Sequence, residues 1–135
     1  MSAIEGTVQS QAGLKIKDAY MRCQRIFYGS VVWDGSTYTN ENGYYKFDAL
    51  GDYSEHKVWV ETAEGYEDTG SATAWIGTTG GAWSITVIDF ILKKIGGENL
   101  FDYLAAWLQE YGIWIGVFAI IIIVIIIIAI LKRRK

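Results

Sequence analysis

The chain has 135 residues, a net charge of -3 at pH 7 and 51% hydrophobic residues, enough for one domain with an appendage. One Cys and one His exclude a disulfide scaffold, a multi-cysteine zinc site and any site that needs two histidines. The acidic balance is not that of a nucleic-acid-binding domain, and the absence of Pro excludes Pro-rich linkers.

In chain order, Met1 to Ser10 has neither a charged n-region nor an apolar h-region, so no secretory signal is expected there. Ala19, Met21 and Cys23 alternate with Tyr20, Arg22 and Gln24. This period of two predicts a strand whose small apolar set faces a core. Cys23 is thereby expected to be a buried, inert thiol. Val31-Val32-Trp33, Asp34-Gly35 and Thr37-Tyr38-Thr39 read as a hairpin turning at Asp34-Gly35. Asn42-Gly43, between Tyr38-Thr39 and Tyr44-Tyr45, predicts a second hairpin. Val58 and Val60 alternate with Lys57, Trp59 and Glu61, and Trp83, Ile85 and Val87 alternate with Ser84, Thr86 and Ile88. Short strands with no helix between them indicate a small antiparallel β-sandwich of immunoglobulin or transthyretin type over residues 1–94.

Gly96 and Gly97 punctuate the end of that domain, and residues 95–112 read as a Gly hinge and an amphipathic juxtamembrane helix. Asn99 is the expected N-cap, with Asp102 three residues on. Leu100, Leu104, Trp107, Leu108 and Tyr111 recur at helical spacing, while Asp102, Gln109 and Glu110 fall off that stripe. The stripe can pack on a neighbouring subunit, lie on lipid headgroups or pack on the chain's own β domain. Ile113 to Leu131 contains no charged side chain. Its 19 residues give roughly 28 Å of helix, which matches a hydrocarbon core of about 30 Å. Ile122 sits near its centre, and the backbone in lipid must bond to itself, so a transmembrane helix over 113–131 is expected. Trp107, Tyr111 and Trp114 are placed where aromatic rings prefer the headgroup zone. Gly112 and Gly116 form a GxxxG pair that permits self-association, a spacing chance supplies as readily in a chain with 15 glycines. Lys132, Arg133, Arg134 and Lys135 form a basic tail, 132–135.

Little catalytic chemistry is legible, and no enzyme, metal or cofactor is expected. Ser54 and Glu55 flank His56, but chain neighbours do not make a triad, and His56 is expected to be a solvated loop residue. Gly77 to Gly81 lacks the Lys-Ser/Thr ending of a phosphate loop and reads as a turn. Asp34 to Gly43 offers carboxylates and amides at a spacing that fits no EF-hand. Aromatics are the unusual feature. Tyr28, Trp33, Tyr38, Tyr44, Trp59, Tyr66, Trp75 and Trp83 come from one small domain, which cannot bury them all. Trp33, Tyr38, Trp59 and Trp75 are the candidate interface set for protein or glycan, with cross-strand pairing as the structural alternative.

Several stretches resemble the carboxypeptidase regulatory-like domain. They are Gly6-Thr7-Val8, Gly13-Leu14-Lys15 with Asp18-Ala19-Tyr20-Met21, and above all Thr39-Asn40-Glu41-Asn42-Gly43-Tyr44-Tyr45-Lys46-Phe47. Leu50-Gly51-Asp52-Tyr53, Val58-Trp59-Val60 and Gly65-Tyr66 extend the likeness over about Gly6 to Leu92. Tyr53 to Lys57 is longer than the family pattern, with His56 where the family has an aromatic. The resemblance implies a seven-stranded, transthyretin-like, non-catalytic module with a spacer, adhesive or assembly role.

The sequence therefore points to a non-enzymatic, single-pass membrane protein that presents a β-sandwich to other subunits. A membrane-associated virion structural protein is the favoured setting. An accessory subunit of a membrane enzyme complex and a cell-surface adhesion or glycan-binding module are the alternatives. Residues 1–97 carry 8 Lys/Arg and 12 Asp/Glu, 98–112 add three acidic residues and the tail adds four basic ones. This asymmetry predicts the tail on the cytoplasmic side or in a virion interior, near anionic lipid or nucleic acid, and the β domain outside.

Overall fold

The computed structural model describes residues 1–67 and 73–134. Eight strands and one helix follow in order: β1 Ser2–Ser10, β2 Tyr20–Phe27, β3 Ser30–Tyr38, β4 Tyr44–Leu50, β5 Glu55–Thr62, β6 Trp75–Thr78, β7 Ile85–Val87, β8 Phe90–Leu92 and α1 Leu100–Arg133. The strands form two sheets, β4-β1 with β7 and β8 on the far side of β1, and β3-β2-β5-β6. The fold is thus a β-sandwich followed by one long apolar helix. Pairing is antiparallel except that β7 and β8 run parallel to β1.

The alternation read in the sequence builds the core. Met21 and Cys23 on β2, Val58 and Val60 on β5, Ile4 and Val8 on β1, and Tyr45 and Phe47 on β4 meet between the sheets. Burying an apolar side chain of this size contributes roughly 1.5–3 kcal/mol, so these rows supply most of the driving force. Cys23 is fully buried, and burial, helped by the Asp34 charge, pushes its thiol up to about 12.

Three expectations are corrected, and one strand's facing is added. Asp34-Gly35 does not turn: β3 runs unbroken from Ser30 to Tyr38, with Gln24 opposite Asp34 and Cys23 opposite Gly35. Arg22 and Gln24 on β2 donate hydrogen bonds to the Asp34 carboxylate, which holds it in the ladder. The turn falls instead at Tyr28-Gly29, both at positive φ (49° and 77°), the combination that a two-residue type I′ turn requires. The Asn42-Gly43 turn forms, with Gly43 N–H donating to Asn40 O at 2.9 Å, but it is a corner between sheets, because β3 and β4 lie in different sheets. Gly43 has φ +69°, and a side chain there would come within 2.5 Å of Val8 O. Trp83, Ile85 and Val87 face outward, between 54% and 83% exposed. His56 is a fully buried residue of β5 rather than a loop residue.

One close approach explains the broken strand β7/β8. A Cβ on Gly6 would stand 1.8 Å from Ile88 O. Without one, Ile88 N–H reaches Glu5 O at 2.8 Å, the Tyr45 hydroxyl reaches Ile88 O at 2.6 Å, and the Asp89 carboxylate accepts from Thr7 N–H at 2.8 Å.

Candidate functional site

Two regions carry the features that chemistry or recognition can use: the helix with its seat on the β domain, and the opposite end of the sandwich.

The helix begins at a capping box. Asn99 Oδ1 accepts from Asp102 N–H at 3.1 Å, and Asp102 Oδ2 accepts from Asn99 N–H at 2.9 Å, which satisfies two backbone donors left over at a helix start. Lys94 donates to the Asp102 carboxylate at 2.5 Å, and this hydrogen bond, with the Asn99 amide, holds that carboxyl below its usual range. One turn on, Ala106 is buried beside Gly13; another turn on, Gln109 Oε1 accepts from Lys15 N–H at 2.8 Å. Asp102, Ala106 and Gln109 therefore seat the helix on the β domain. At about 100° per residue they share one face, and Leu100, Leu104, Trp107, Leu108 and Tyr111 lie on the opposite one. That apolar stripe stays between 43% and 79% exposed, so the chain's own β domain does not cover it.

Beyond the seat, the helix has no buried residue among the described residues. Its most apolar window has a mean hydropathy of 3.5 and no buried residue, and it is long and apolar enough to cross a membrane. Ile113, Ile122 and Leu131 are all more than half exposed, as is Trp114 at the near end. Gly112 and Gly116 lie open, with nothing within 4 Å of where a side chain would start. Lys132 and Arg133 occupy the last turn and Arg134 caps it, where cations meet the negative end of the helix dipole. Lys135 lies outside the described residues.

The loops that receive the helix sit at one end of the strands. At the other end lie the Tyr28-Gly29 turn, the 51–54 turn, and the loop from Thr79 to Ser84, roughly 23 Å away along β2. A polar knot ties the last two of these segments to the start of β1. The Ser2 hydroxyl bonds to Asp52 at 2.5 Å and to Gly80 O and Gly81 O at 3.1 Å, and Thr79 donates to Gly51 O at 2.6 Å. The Ser2 hydroxyl and then the Met1 ammonium hold Asp52 below its ordinary value. On this frame Tyr28 is 94% exposed, Trp83 83% and Tyr53 79%. All three have left-handed backbones (φ 49°, 65° and 46°), a conformation that costs a non-glycine residue roughly 1–2 kcal/mol.

The four aromatics singled out in the sequence are not brought together. Trp33 is 42% exposed and folds its ring over Gly35; Tyr38 is 62% exposed and stacks on Tyr20 with ring centres 5.1 Å apart. Trp59 is buried beneath Arg22 and Lys57, so it leaves the exposed set, and Trp75 is half-buried against the core. The sequence reading missed the grouping of Tyr28, Tyr53 and Trp83, because only the sheet order places their loops side by side. It also missed Arg25 and His56, cross-strand partners beneath that end. His56 Nδ1 lies 2.9 Å from Ser54 O, and Nε2 and Arg25 Nε are buried without a hydrogen-bond partner among the described residues. Burial, with Arg25 close by, lowers His56 below its ordinary value.

No family model matches the chain, and no curated protein matches it in sequence. Its fold is similar to that of solved structures that include the following three. A Bacillus anthracis TIE protein superposes with a TM-score of 0.56 at 21% identity, over 69% of this chain and 17% of that one. A DUF3823 family protein from Parabacteroides merdae gives 0.51 at 12% identity, over 69% and 46%. A C-terminal fragment of the pilus adhesin SpaC from Lactobacillus rhamnosus GG gives 0.50 at 12% identity, over 69% and 45%. The chain thus spans less than half of each of these proteins, and at such identities the likeness describes the β fold. The carboxypeptidase regulatory-like resemblance rests on the residue motifs alone.

Proposed function

We propose that this protein is a non-enzymatic, single-pass membrane protein that presents its β-sandwich for contact with other proteins, through the end that carries Tyr28, Tyr53 and Trp83. One observation carries the reading: three exposed aromatics share that end, each on a strained backbone, and the helix is seated at the other end. Strain of this kind persists where the surrounding structure over-determines it and is concentrated at functional positions. Exposed Tyr and Trp supply large contact area with few rotatable bonds, which suits them to interface anchors. One of the solved structures with a similar fold is, by its name, a fragment of a pilus adhesin, which agrees with a contact module.

The helix supplies the anchor. Its docked face is polar or small and its free face is apolar, so the stripe from Leu100 to Tyr111 can lie in the headgroup zone just before the span. The basic tail then remains on the cytoplasmic or particle-interior side. A virion membrane and an accessory place in a membrane enzyme complex are both settings in which such a module serves. A photocrosslinking amino acid placed at positions 28, 53 and 83 of the full chain in its native membrane tests the reading. Discrete adducts at these positions, and none at Lys17 or Glu64 near the helix seat, are expected. Equal labelling at both ends, or no adduct at the tip, refutes it.

A further inference from the structure

The inner face of the β3-β2-β5-β6 sheet is apolar along most of its length and turns polar at the aromatic end. On β2 the inward row runs Met21, Cys23, Arg25; on β5 it runs Val60, Val58, His56. Arg25 and His56 are cross-strand partners, and both line a cavity of about 300 Å³ whose other walls include Val32, Trp33, Ala49 and Leu50.

The hydrogen-bonding capacity of the pair is specific. Ser54 O can only accept, so His56 Nδ1 carries the proton at 2.9 Å from it and Nε2 is left as an acceptor. Arg25 Nε–H is a donor. Both atoms are buried with no partner among the described residues, and His56 as a whole is fully buried. Folded chains satisfy nearly all such groups, so a buried donor and a buried acceptor left unpaired beside one cavity point to a ligand that completes both. One water could bridge them, but the cavity has room for far more than one water, and Val32, Trp33, Ala49 and Leu50 are among its walls.

We propose that this cavity binds a small monocarboxylate, with its carboxyl group on Arg25 and His56 and the rest of the molecule beside Val32, Trp33, Ala49 and Leu50. The arginine provides the positive charge and the fork geometry that a carboxylate matches. His56 Nε2 takes the remaining proton, either from a carboxylic acid or as an imidazolium facing a carboxylate, so binding takes up one proton. Arg25 is the charged group that β2 turns toward His56, while β6 contributes Gly77 opposite it and the adjoining turn contributes Gly51 and Ser54, none of them titratable. Free His56 is held below its ordinary value, so it is neutral at pH 7 and binding tightens as the pH falls. The carboxyl group can belong to a free acid or to the last residue of a polypeptide. The inference stands on the cavity and does not need the exposed aromatics to bind a protein.

His56 is the single histidine of the chain, so its imidazole nitrogen signals need no assignment. The test titrates the full chain in detergent micelles at pH 7 with hexanoate, with hexanamide, and with acetyl-Val-Leu as free acid and as amide. Hexanoate should move the His56 signals saturably toward the protonated form, and hexanamide should not. A response to the free-acid peptide that exceeds the response to hexanoate identifies a polypeptide terminus as the source. Arg25→Gln should weaken binding at least about tenfold. Val32→Trp, at a half-exposed edge position, should fill the cavity and abolish binding with the near-ultraviolet circular dichroism unchanged. Tyr53→Ser should leave carboxylate binding intact while removing a tip aromatic, which separates this proposal from the docking reading. No response to either acid, an equal response to hexanamide, or full binding by Val32→Trp overturns it.

Discussion

Gly6→Ala probes the parallel pairing that ties the end of the domain to its beginning. An alanine methyl would stand 1.8 Å from Ile88 O, and that atom is backbone, so the segment Ile88–Asp89 must move away from β1. Three hydrogen bonds depend on its present position: Ile88 N–H to Glu5 O, the Tyr45 hydroxyl to Ile88 O, and Thr7 N–H to Asp89 Oδ1. At about 1 kcal/mol each, their loss costs roughly 3 kcal/mol, and the Tyr45 hydroxyl is left in a buried setting. Gly29→Ala is the control, with φ +77° and nothing within 4 Å, so it should cost only the left-handed penalty of about 1–2 kcal/mol. The assay is urea unfolding of the full chain in mild detergent, followed by near-ultraviolet circular dichroism. With a slope of about 1 kcal/mol per molar, the midpoint should fall by ~3 M for Gly6→Ala and by ~1–2 M for the control. If Gly6→Ala falls no further than Gly29→Ala, the close approach of Ile88 to β1 is wrong.

Other perturbations have equally definite outcomes. Gln109→Ala removes the acceptor for Lys15 N–H, so hydrogen exchange at that amide should rise about fivefold for a bond of ~1 kcal/mol, while unchanged exchange would show that the helix is not seated there. Cys23, with its thiol pushed up to about 12, should resist a thiol reagent at pH 8 until the domain is unfolded; fast native labelling contradicts its burial. Folded His56 titrates below its ordinary value of 6.5, so below that pH the unfolded chain binds more protons and stability should fall with pH. The decline between pH 7 and 5 should be shallower in His56→Gln, and parallel curves for the two proteins would refute it.

The strands whose two faces differ in chemistry were legible, as Met21 and Cys23 against Arg22 and Gln24 show, and so was the Asn99–Asp102 cap. The span was legible as an apolar run, and the helix carries it. Misreadings arose where distant pairing overrides a local signal. Asp34-Gly35 has turn chemistry, but Arg22 and Gln24 across the ladder keep Asp34 extended, and the turn goes to Tyr28-Gly29. Ile85 and Val87 alternate as an inward row would, yet they face outward from a strand paired with β1 through non-local contacts. Arg25 and His56 break the apolar alternation, and His56 read as a solvated loop residue, although each occupies the last inward position of its strand. The helix was harder still, because its amphipathic stripe is the obvious packing face and the β domain uses the other one.

The central claim is a β domain and a basic tail on opposite sides of one membrane. The direct measurement is protease digestion of sealed cells or intact membrane-bounded particles carrying the protein with a C-terminal tag, with permeabilised samples as the control. The account predicts that the β domain is digested while the tag is protected, and that permeabilisation exposes the tag. Digestion or protection of both ends together would contradict a span at Ile113 to Leu131, and a protected β domain with a digested tag would reverse the orientation.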